Sequence, residues 1–563
     1  MFMPFEDWKQ SAAYEVSLKE RPQIWNVRLS ADVNTSSSLR VQIGLNVFSL
    51  CQRAYGIFPL VTWPRQAMIK SNAEGSNCSF EWRVVMHTEK SSANFDKFTF
   101  TSNKKDIESE QPPNFLKYPL RKEQSRSLKW MLNQERSNLP FFEEEICENI
   151  LPSVNWRAEG RVRRPVLVRG GCIADEVGYG KTAITLACID SNSALDLQND
   201  NVETPGFVKT KATLVVVPGH LMGQWPNEGD SFSSLLFSLF LCTSSLNAYL
   251  MSFSSNDSVA LSLFNNTHSW RNKNKHEVKK FLGSSKNVVE IKDMRSFNDT
   301  SIDDILDADI VIVNFTVLCS DKYYARLGLF VGKHKCFPSG AKGGRHFESV
   351  YESCLKSLPN RVEQIKNDCG SAFETIEKEV AKYVDPQEQD ATTFRLDGKK
   401  AVYKNTGKTE SFTRKCGIES IEDPWKLRKE KNFKNMRCPP LEIFKWKRVV
   451  VDEFTYLLEK PERRRPLSVV QKGIMADYRW VLSGTPSHES FDDIKCLAKL
   501  LNIHLGVEEL LPGSENGSRS NNERTGAENM SQFLENKSIQ WHERRRVIGE
   551  KLLQLNCIFS SRD

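Results

Sequence analysis

Short apolar runs punctuate this chain, and their spacing changes along it. Over residues 1–105 they alternate with Ser, Asn and Gly, as in Leu39 to Val47 (LRVQIGLNV) and Phe80 to Met86 (FEWRVVM). That pattern predicts a small β-rich accessory region. From Tyr118 the period becomes helical: Leu120, Gln124, Leu128 and Leu132 recur at helical spacing in Leu120 to Glu135, with Trp130 and Met131 alongside, so an amphipathic helix opens the next domain. Near-continuous Val, Ile and Leu runs follow at Pro165 to Arg169, Ala212 to Val217, Asp309 to Asn314, Arg448 to Val451 and Trp480 to Leu482. Runs of that kind, separated by helical stretches, are buried on both faces and predict an α/β fold with a parallel sheet flanked by helices.

Two polar intervals rich in Lys, Asn, Ser and Glu, about 252–300 and 319–440, interrupt this rhythm and read as insertions. The second is too long for a bare loop in a compact domain, so helices are expected within it, such as Phe347 to Leu358 and Arg361 to Lys382. The expected organisation is an accessory region over 1–105, a core domain over 106–506, and a polar linker with an amphipathic tail, Trp541 to Leu555, over 507–563. Phe232 to Met251 is uncharged and as long as a membrane helix. Its serines, and its place after a sheet segment, favour buried strand and helix segments instead.

Composition narrows the class. With 39% hydrophobic and 26% charged residues the chain is globular rather than fibrous or disordered, and 563 residues suffice for several domains. A net charge of +7 is too small to mark a polyanion binder. The basic clusters Arg271 to Lys280, Lys426 to Lys434, Arg463 to Arg465 and Arg544 to Arg546 each read as a solvated face, a phosphate contact or a nuclear import signal. None of the 14 cysteines forms a C-x-x-C pair, which excludes the usual zinc ribbon and ring-type finger and points to reduced intracellular thiols. The first residues, MFMPFEDWKQ, lack a secretion signal pattern.

The strongest chemical signal is Gly171 to Thr182 (GCIADEVGYGKT), preceded by a strand-like run and followed by the helical AITLACI. A phosphate loop needs exposed backbone N–H groups, which glycine permits, and a helix N-terminus aimed at the anion. Gly178 and Gly180 meet the first need and the helix after Thr182 the second. Lys181 is placed to reach the β- and γ-phosphates of ATP, and the Thr182 hydroxyl to bind Mg²⁺. Asp175 stands where the general G-x-x-x-x-G-K-[ST] pattern has its first glycine. The complement is Val449-Val450-Val451-Asp452-Glu453, a buried strand ending in two acids. Asp452 suits Mg²⁺ and Glu453 suits orienting or deprotonating an attacking water, although an Asp-Glu after three valines is also how a strand ends at a surface.

In order along the chain, ADEVGYGKT, TLVVVPGHLMGQW, ADIVIVNFTVL, RVVVDEFTYL and RWVLSGTP resemble the first, RecA-like motor lobe of the SWI/SNF-type branch of superfamily-two helicases, from about Tyr118 to Gly506 without the insertions. That family consists of double-stranded DNA translocases that remodel chromatin or act in DNA repair, and Asp175 is usual at its loop position. The resemblance implies ATP and Mg²⁺ as cofactors, double-stranded DNA or chromatin as partner, protein partners at the insertions, and a nuclear location. It casts Glu453 and Lys181 as catalytic, and Gln124 as the reader of the adenine edge. Pro218 to Trp225 would track the DNA backbone, and Ser483, Gly484 and Thr485 would couple ATP state to lobe movement. Two departures qualify it. Phe454 and Thr455 replace a small residue and a histidine after the acid pair, leaving the shorter Thr455 hydroxyl as a candidate link. A second lobe with arginine fingers is expected, yet the 57 residues after Gly506 cannot form one, so a fragment of a longer motor or a truncated gene model is expected. The other reading is a non-motor ATP-binding interaction module, a nucleotide-dependent scaffold. A kinase or metabolic P-loop enzyme fits the loop but not the ordered set.

Overall fold

The computed structural model describes residues 23–31, 39–58, 78–87, 98–115, 118–192, 204–222, 286–331, 344–367, 394–397, 400–403, 409–411, 432–458, 464–484, 486–506 and 539–559. The chain divides into two compact units, each gathered from separated stretches: 1–99, 138–168 and 487–555 in one, and 100–137, 169–486 and 556–563 in the other.

The first unit is built on antiparallel pairing. Strands β1 (Trp25–Ala31) and β2 (Leu39–Leu45) form a hairpin. Helix α1 (Val47–Ile57) follows, its N-terminus capped by Asn46, whose side-chain oxygen accepts the Ser49 N–H at 3.0 Å. A second sheet runs β3 (Ser79–Met86), β6 (Trp156–Leu167), β5 (Pro140–Leu151). Leu50 and Ala54 of α1 meet Ala158 and Val162 of β6 in its core. Gly160 must be glycine, because a Cβ there would lie 2.8 Å from Leu50. The β5–β6 pairing also carries buried charge. Arg164 donates to Glu143 at 2.7 and 3.1 Å, and Glu159, 2% exposed, meets Arg83, Arg157 and Arg544 at 2.5 to 2.6 Å. A carboxylate taken out of water is tolerated only with such company. Arg544 lies on helix α6 (Ile539–Asn556), so this cluster fastens α6 to the sheet.

The second unit is α/β. Its sheet has nine strands, all parallel: β4 (Thr101–Ser102), β7 (Gly170–Ile173), β8 (Val208–Lys209), β9 (Thr213–Val217), β10 (Val288–Ile291), β11 (Ile310–Asn314), β15 (Phe444–Asp452), β16 (Met475–Leu482) and β17 (Cys557–Phe559). Their spatial order is β10-β11-β9-β15-β16-β7-β17-β4, with β8 beside β15. A separate meander comprises β12 (Phe394–Asp397), β13 (Lys400–Tyr403) and β14 (Thr409–Ser411). All five residues of β9 are buried, as continuous apolar strands between helical layers must be. Leu128 and Met131 of α2 (Lys122–Arg136) and Ile184 and Ala187 of α3 (Lys181–Asn192) share one core with Val215, Ile312, Val450 and Trp480.

Several expectations change. Pro165 to Arg169 is not a strand of the parallel sheet: its first residues end antiparallel β6, and the strand before the phosphate loop is the glycine-bearing β7. Val288–Ile291, inside the stretch that reads as an insertion, forms the sheet's edge strand β10. Beyond the amphipathic tail, β17 pairs with β7, and the Ala174 N–H donates to Ile558 O at 2.9 Å. One helix, α5 (Gly344–Asn367), runs through Phe347 to Leu358 and on through residues 361–367, the described part of the expected helix Arg361 to Lys382; Pro359 inside it lies against Gly206, whose φ of 79° and closeness to that proline leave no room for a side chain. Phe232 to Met251 lies outside the described residues, among which no helix is long and apolar enough to cross a membrane.

Two buried carboxylates organise this unit. Glu135, at the end of α2, accepts from Arg448 of β15 through Nε (2.6 Å) and Nη2 (2.7 Å), and from Trp480 Nε1 of β16 (3.0 Å). Glu442, fully buried just before β15, accepts from the Tyr323 hydroxyl of α4 (Asp321–Phe330) at 2.6 Å and the Tyr351 hydroxyl of α5 at 2.9 Å. This second clamp docks the helical part of the insertion onto the sheet.

Arg448→Leu leaves Glu135 charged and buried, and should cost about 3 to 5 kcal/mol. The double change Glu135→Leu/Arg448→Leu should recover much of that loss in chemical denaturation, and a single variant as stable as the parent would refute the assignment. Burial pushes the Glu442 carboxyl above its ordinary 4.5, against the opposing tyrosine hydrogen bonds. The folded state therefore holds that proton more tightly, so this contribution to stability is present at acidic pH and lost as pH rises from 4.5 through the folded value. Melting temperature followed over pH should fall less steeply on the alkaline side for Glu442→Gln than for the parent chain.

Candidate nucleotide-binding site

Sheet register assembles the site. Leu482 of β16 pairs on one side with Asp452 of β15 and on the other with Ile173 of β7. All three strands are parallel, so their carboxyl ends open on the same edge, and two inter-strand spacings separate the phosphate loop from the acid pair by about 9.5 Å. Two backbone bonds fix the ends: Ser483 N–H donates to Ile173 O at 3.1 Å, and Glu453 N–H to Leu482 O at 2.9 Å. Ser483-Gly484 therefore leaves the sheet between the loop and the acids. Thr485 lies outside the described residues.

The loop runs from Ala174 to Gly180, and α3 begins at Lys181. Gly178 (φ 86°) and Gly180 (φ 83°) occupy the left-handed region that glycine alone takes without strain. Lys181 Nζ donates to Asp175 O at 2.9 Å and Glu176 O at 3.3 Å, so the ammonium lies over the loop backbone. Asp175 is fully buried, and Thr182 is buried in the first turn of α3. The first N–H groups of a helix have no acceptor within it and attract anions. Gly484 packs on this loop: a Cβ there would lie 2.5 Å from Val177 Cγ2 and 3.6 Å from Lys181 Nζ.

Gln124 is brought against the loop from α2. Its Nε2 donates to Tyr179 O at 2.8 Å and its Oε1 accepts the Arg121 N–H at 2.9 Å, so one amide ties the helix N-terminus to the loop. Gly180 faces that amide so closely that any Cβ would collide with Nε2. Sequence reasoning did not single out Arg121, whose Nη2 also donates to Tyr179 O at 3.1 Å. Its only signal was a basic residue just before the first turn of the opening helix.

At the other end of the site, Asp452 is 5% exposed, and Glu453 has φ 48°, rare for a residue with a side chain. Such backbone costs on the order of 1 to 3 kcal/mol and concentrates where function demands it. Among the described residues no cluster of three His, Cys, Asp or Glu gathers. A site of one carboxylate (Asp452), one hydroxyl (Thr182) and ligand phosphate oxygens suits Mg²⁺, which is bound that way with few protein donors. The left-handed glycines, the lysine over the loop and the tight Gly484 contact fit a nucleotide triphosphate in the same place. Of the segment Pro218 to Trp225, residues 218–222 are described: they form the turn after β9.

A parallel sheet with a phosphate loop after β7 and an acid pair after β15 defines a RecA-like P-loop lobe. The family model described as SNF2-related domain matches residues 123–295. Over 98% of its length the chain is 31% identical to DNA (cytosine-5-)-methyltransferase DMT5 of Cryptococcus neoformans var. grubii, of which it spans 22%. It is 35% identical to DNA repair protein RAD5 of Debaryomyces hansenii over 16% of the chain and 8% of that protein. Helicase-like transcription factor of Homo sapiens matches at 34% over 19% of the chain and 11% of that protein. The match over residues 123–295 and the relatives named for DNA repair and helicase-like transcription support a SWI/SNF-type, helicase-like family.

Gly180→Ala adds a Cβ at positive φ in contact with Gln124, so it should weaken ATP binding at least tenfold in calorimetric titration while leaving far-ultraviolet circular dichroism unchanged. Parent-like affinity would show that loop geometry does not set binding.

Proposed function

We propose that this chain is the ATP-binding lobe of a SWI/SNF-like, DNA-dependent ATPase of the chromatin-remodelling or DNA-repair class, working in the nucleus as part of a longer motor with a second lobe. The observation that supports it most is the register that sets Ile173, Leu482 and Asp452 side by side, bringing Lys181, Gly484 and Glu453 to one edge of the sheet. Relatives named for cytosine-5 DNA methylation and for DNA repair share DNA as their common object.

In this reading Gly178, Gly180 and the first turn of α3 bind the phosphates through backbone N–H groups, and Lys181 releases its loop carbonyls to hold the β- and γ-phosphates. Bound Mg²⁺ supplies charge neutralisation at the phosphate oxygens, with Thr182 and Asp452 holding it. Glu453 takes the proton of the attacking water, and its constrained backbone fixes where the carboxylate stands. Ser483-Gly484, wedged between loop and acids, feels the loss of the γ-phosphate and carries it to the rest of the motor. Duplex DNA runs along the turn that begins at Pro218.

Lys181→Ala should weaken ATP binding roughly 10- to 150-fold, the worth of a hydrogen bond to a charged group. Glu453→Gln should leave affinity within about threefold of the parent and slow turnover about 10²- to 10⁴-fold. ATP titrations and phosphate release with and without duplex DNA read both. An unchanged titration for the lysine variant would count against the site, and nucleotide binding with no DNA-dependent turnover in any longer chain carrying the second lobe would favour the scaffold reading.

A further inference from the structure

Strand β3 is an edge of the first unit's antiparallel sheet. All eight of its residues pair with β6, from Ser79 opposite Arg163 to Met86 opposite Trp156, and among the described residues no strand lies on its other side. Free N–H and C=O groups along an edge template another strand, so edges are ordinarily blunted by a proline, a bulge or a covering element. β3 contains no proline, and its register with β6 is unbroken. Its side chains are apolar and open to solvent: Trp82 is 51% exposed, Val84 40% and Met86 63%. Directly opposed residues share a face, so Trp82 and Val84 lie on the α1 side with Gly160 and Ala158, partners too small to cover them.

The order of residues along β3 is complementary to itself. When two copies of one edge join antiparallel about a twofold axis perpendicular to the sheet, faces match only if opposed residues differ by an even number of positions. With Trp82 on the axis, Glu81 of each copy opposes Arg83 of the other, and Phe80 opposes Val84 on the apolar face. Moving the axis to Glu81 or to Arg83 sets like charges directly opposite, which is destabilising. Moving it to Val84 sets Arg83 against apolar Val85. Arg83 is able to take a second acid: its Nε bonds Glu159 at 2.5 Å, its side chain is 56% exposed, and a guanidinium has five N–H donors.

We infer that β3 is a homodimerisation edge, at which two copies of this chain join antiparallel about Trp82 and fuse their three-stranded sheets into one. Backbone hydrogen bonds along β3 and the apolar row of Phe80, Trp82 and Val84 supply the attraction. The two Glu81–Arg83 pairs fix the register. Because both copies use the same surface, the contact closes at two chains and does not propagate.

Sedimentation equilibrium of the full chain over a concentration series tests this, and the parent should show monomer and dimer with nothing larger. Glu81→Arg opposes Arg83 with a like charge at both symmetric positions and should raise the dimer dissociation constant at least tenfold. Arg83→Glu should do the same against Glu81. Mixing the two variants should re-form dimers of parent affinity, since every opposed pair is then one acid with one base. Far-ultraviolet circular dichroism and ATP affinity, measured on the same samples, should stay at parent values. Arg83 also serves Glu159, so if Arg83→Glu does not fold, Trp82→Lys replaces it: two ammonium groups at the axis should leave only monomer. A parent chain that stays monomeric or assembles beyond a dimer overturns the inference. So does a folded Glu81→Arg or Trp82→Lys chain that dimerises as the parent does, or a mixture of two folded charge variants that fails to re-form dimers.

Discussion

The edge where the loop and the acids meet depends on a charge pair buried between α2 and the sheet. Glu135 and Arg448 are both buried, and neither is tolerable without the other, so the pair permits one placement of α2 on β15 and β16. Eleven residues separate Gln124 from Glu135 on that helix, about 16 Å along its axis. The helix is therefore pinned at both ends, by carboxylate and guanidinium at one and by the Gln124 amide on Tyr179 O at the other. Arg448 lies four residues before Asp452 on the same strand, so the bond that seats α2 also sets the height at which the acids leave the sheet. Loop and acids thus share one mechanical reference.

Much of this lobe was legible because its physics is local. Continuous apolar runs such as Thr213–Val217 and Ile310–Asn314 can only be doubly covered strands, and Gly178 and Gly180 before Lys181-Thr182 announce a loop that needs positive φ. The misreading at Pro165 to Arg169 has an equally local cause. A short apolar run looks the same in an antiparallel hairpin as in a parallel sheet, and what decided its fate was the Glu143–Arg164 pairing, which periodicity cannot register. β7 was overlooked because its two glycines resemble a loop. They are required by close approach: a Cβ on Gly170 would collide with the Arg479 backbone, and one on Gly171 would lie 2.5 Å from Asn556 O.

The rest was illegible because it joins residues far apart in sequence. Glu442 gains meaning only when Tyr323 and Tyr351 close over it, and Glu159 only when Arg83, Arg157 and Arg544 converge from three elements. Each is a lone charge in an apolar or mixed stretch, and nothing local names its partner. The same holds for His220 and Tyr456, which belong to turns after different strands. Sequence motifs single out candidate phosphate-binding residues; the sheet decides which of them are neighbours.

The placement of β17 beside the phosphate-loop strand has a consequence in time. Asn556 donates to Gly170 O across 386 residues of chain, and the next residues complete the flank of β7. At a synthesis rate of about 5 to 20 residues per second, roughly 20 to 80 seconds separate the emergence of the loop strand from that of its last neighbour. A nascent chain therefore carries its most recognisable motif for some tens of seconds before the sheet around it can close.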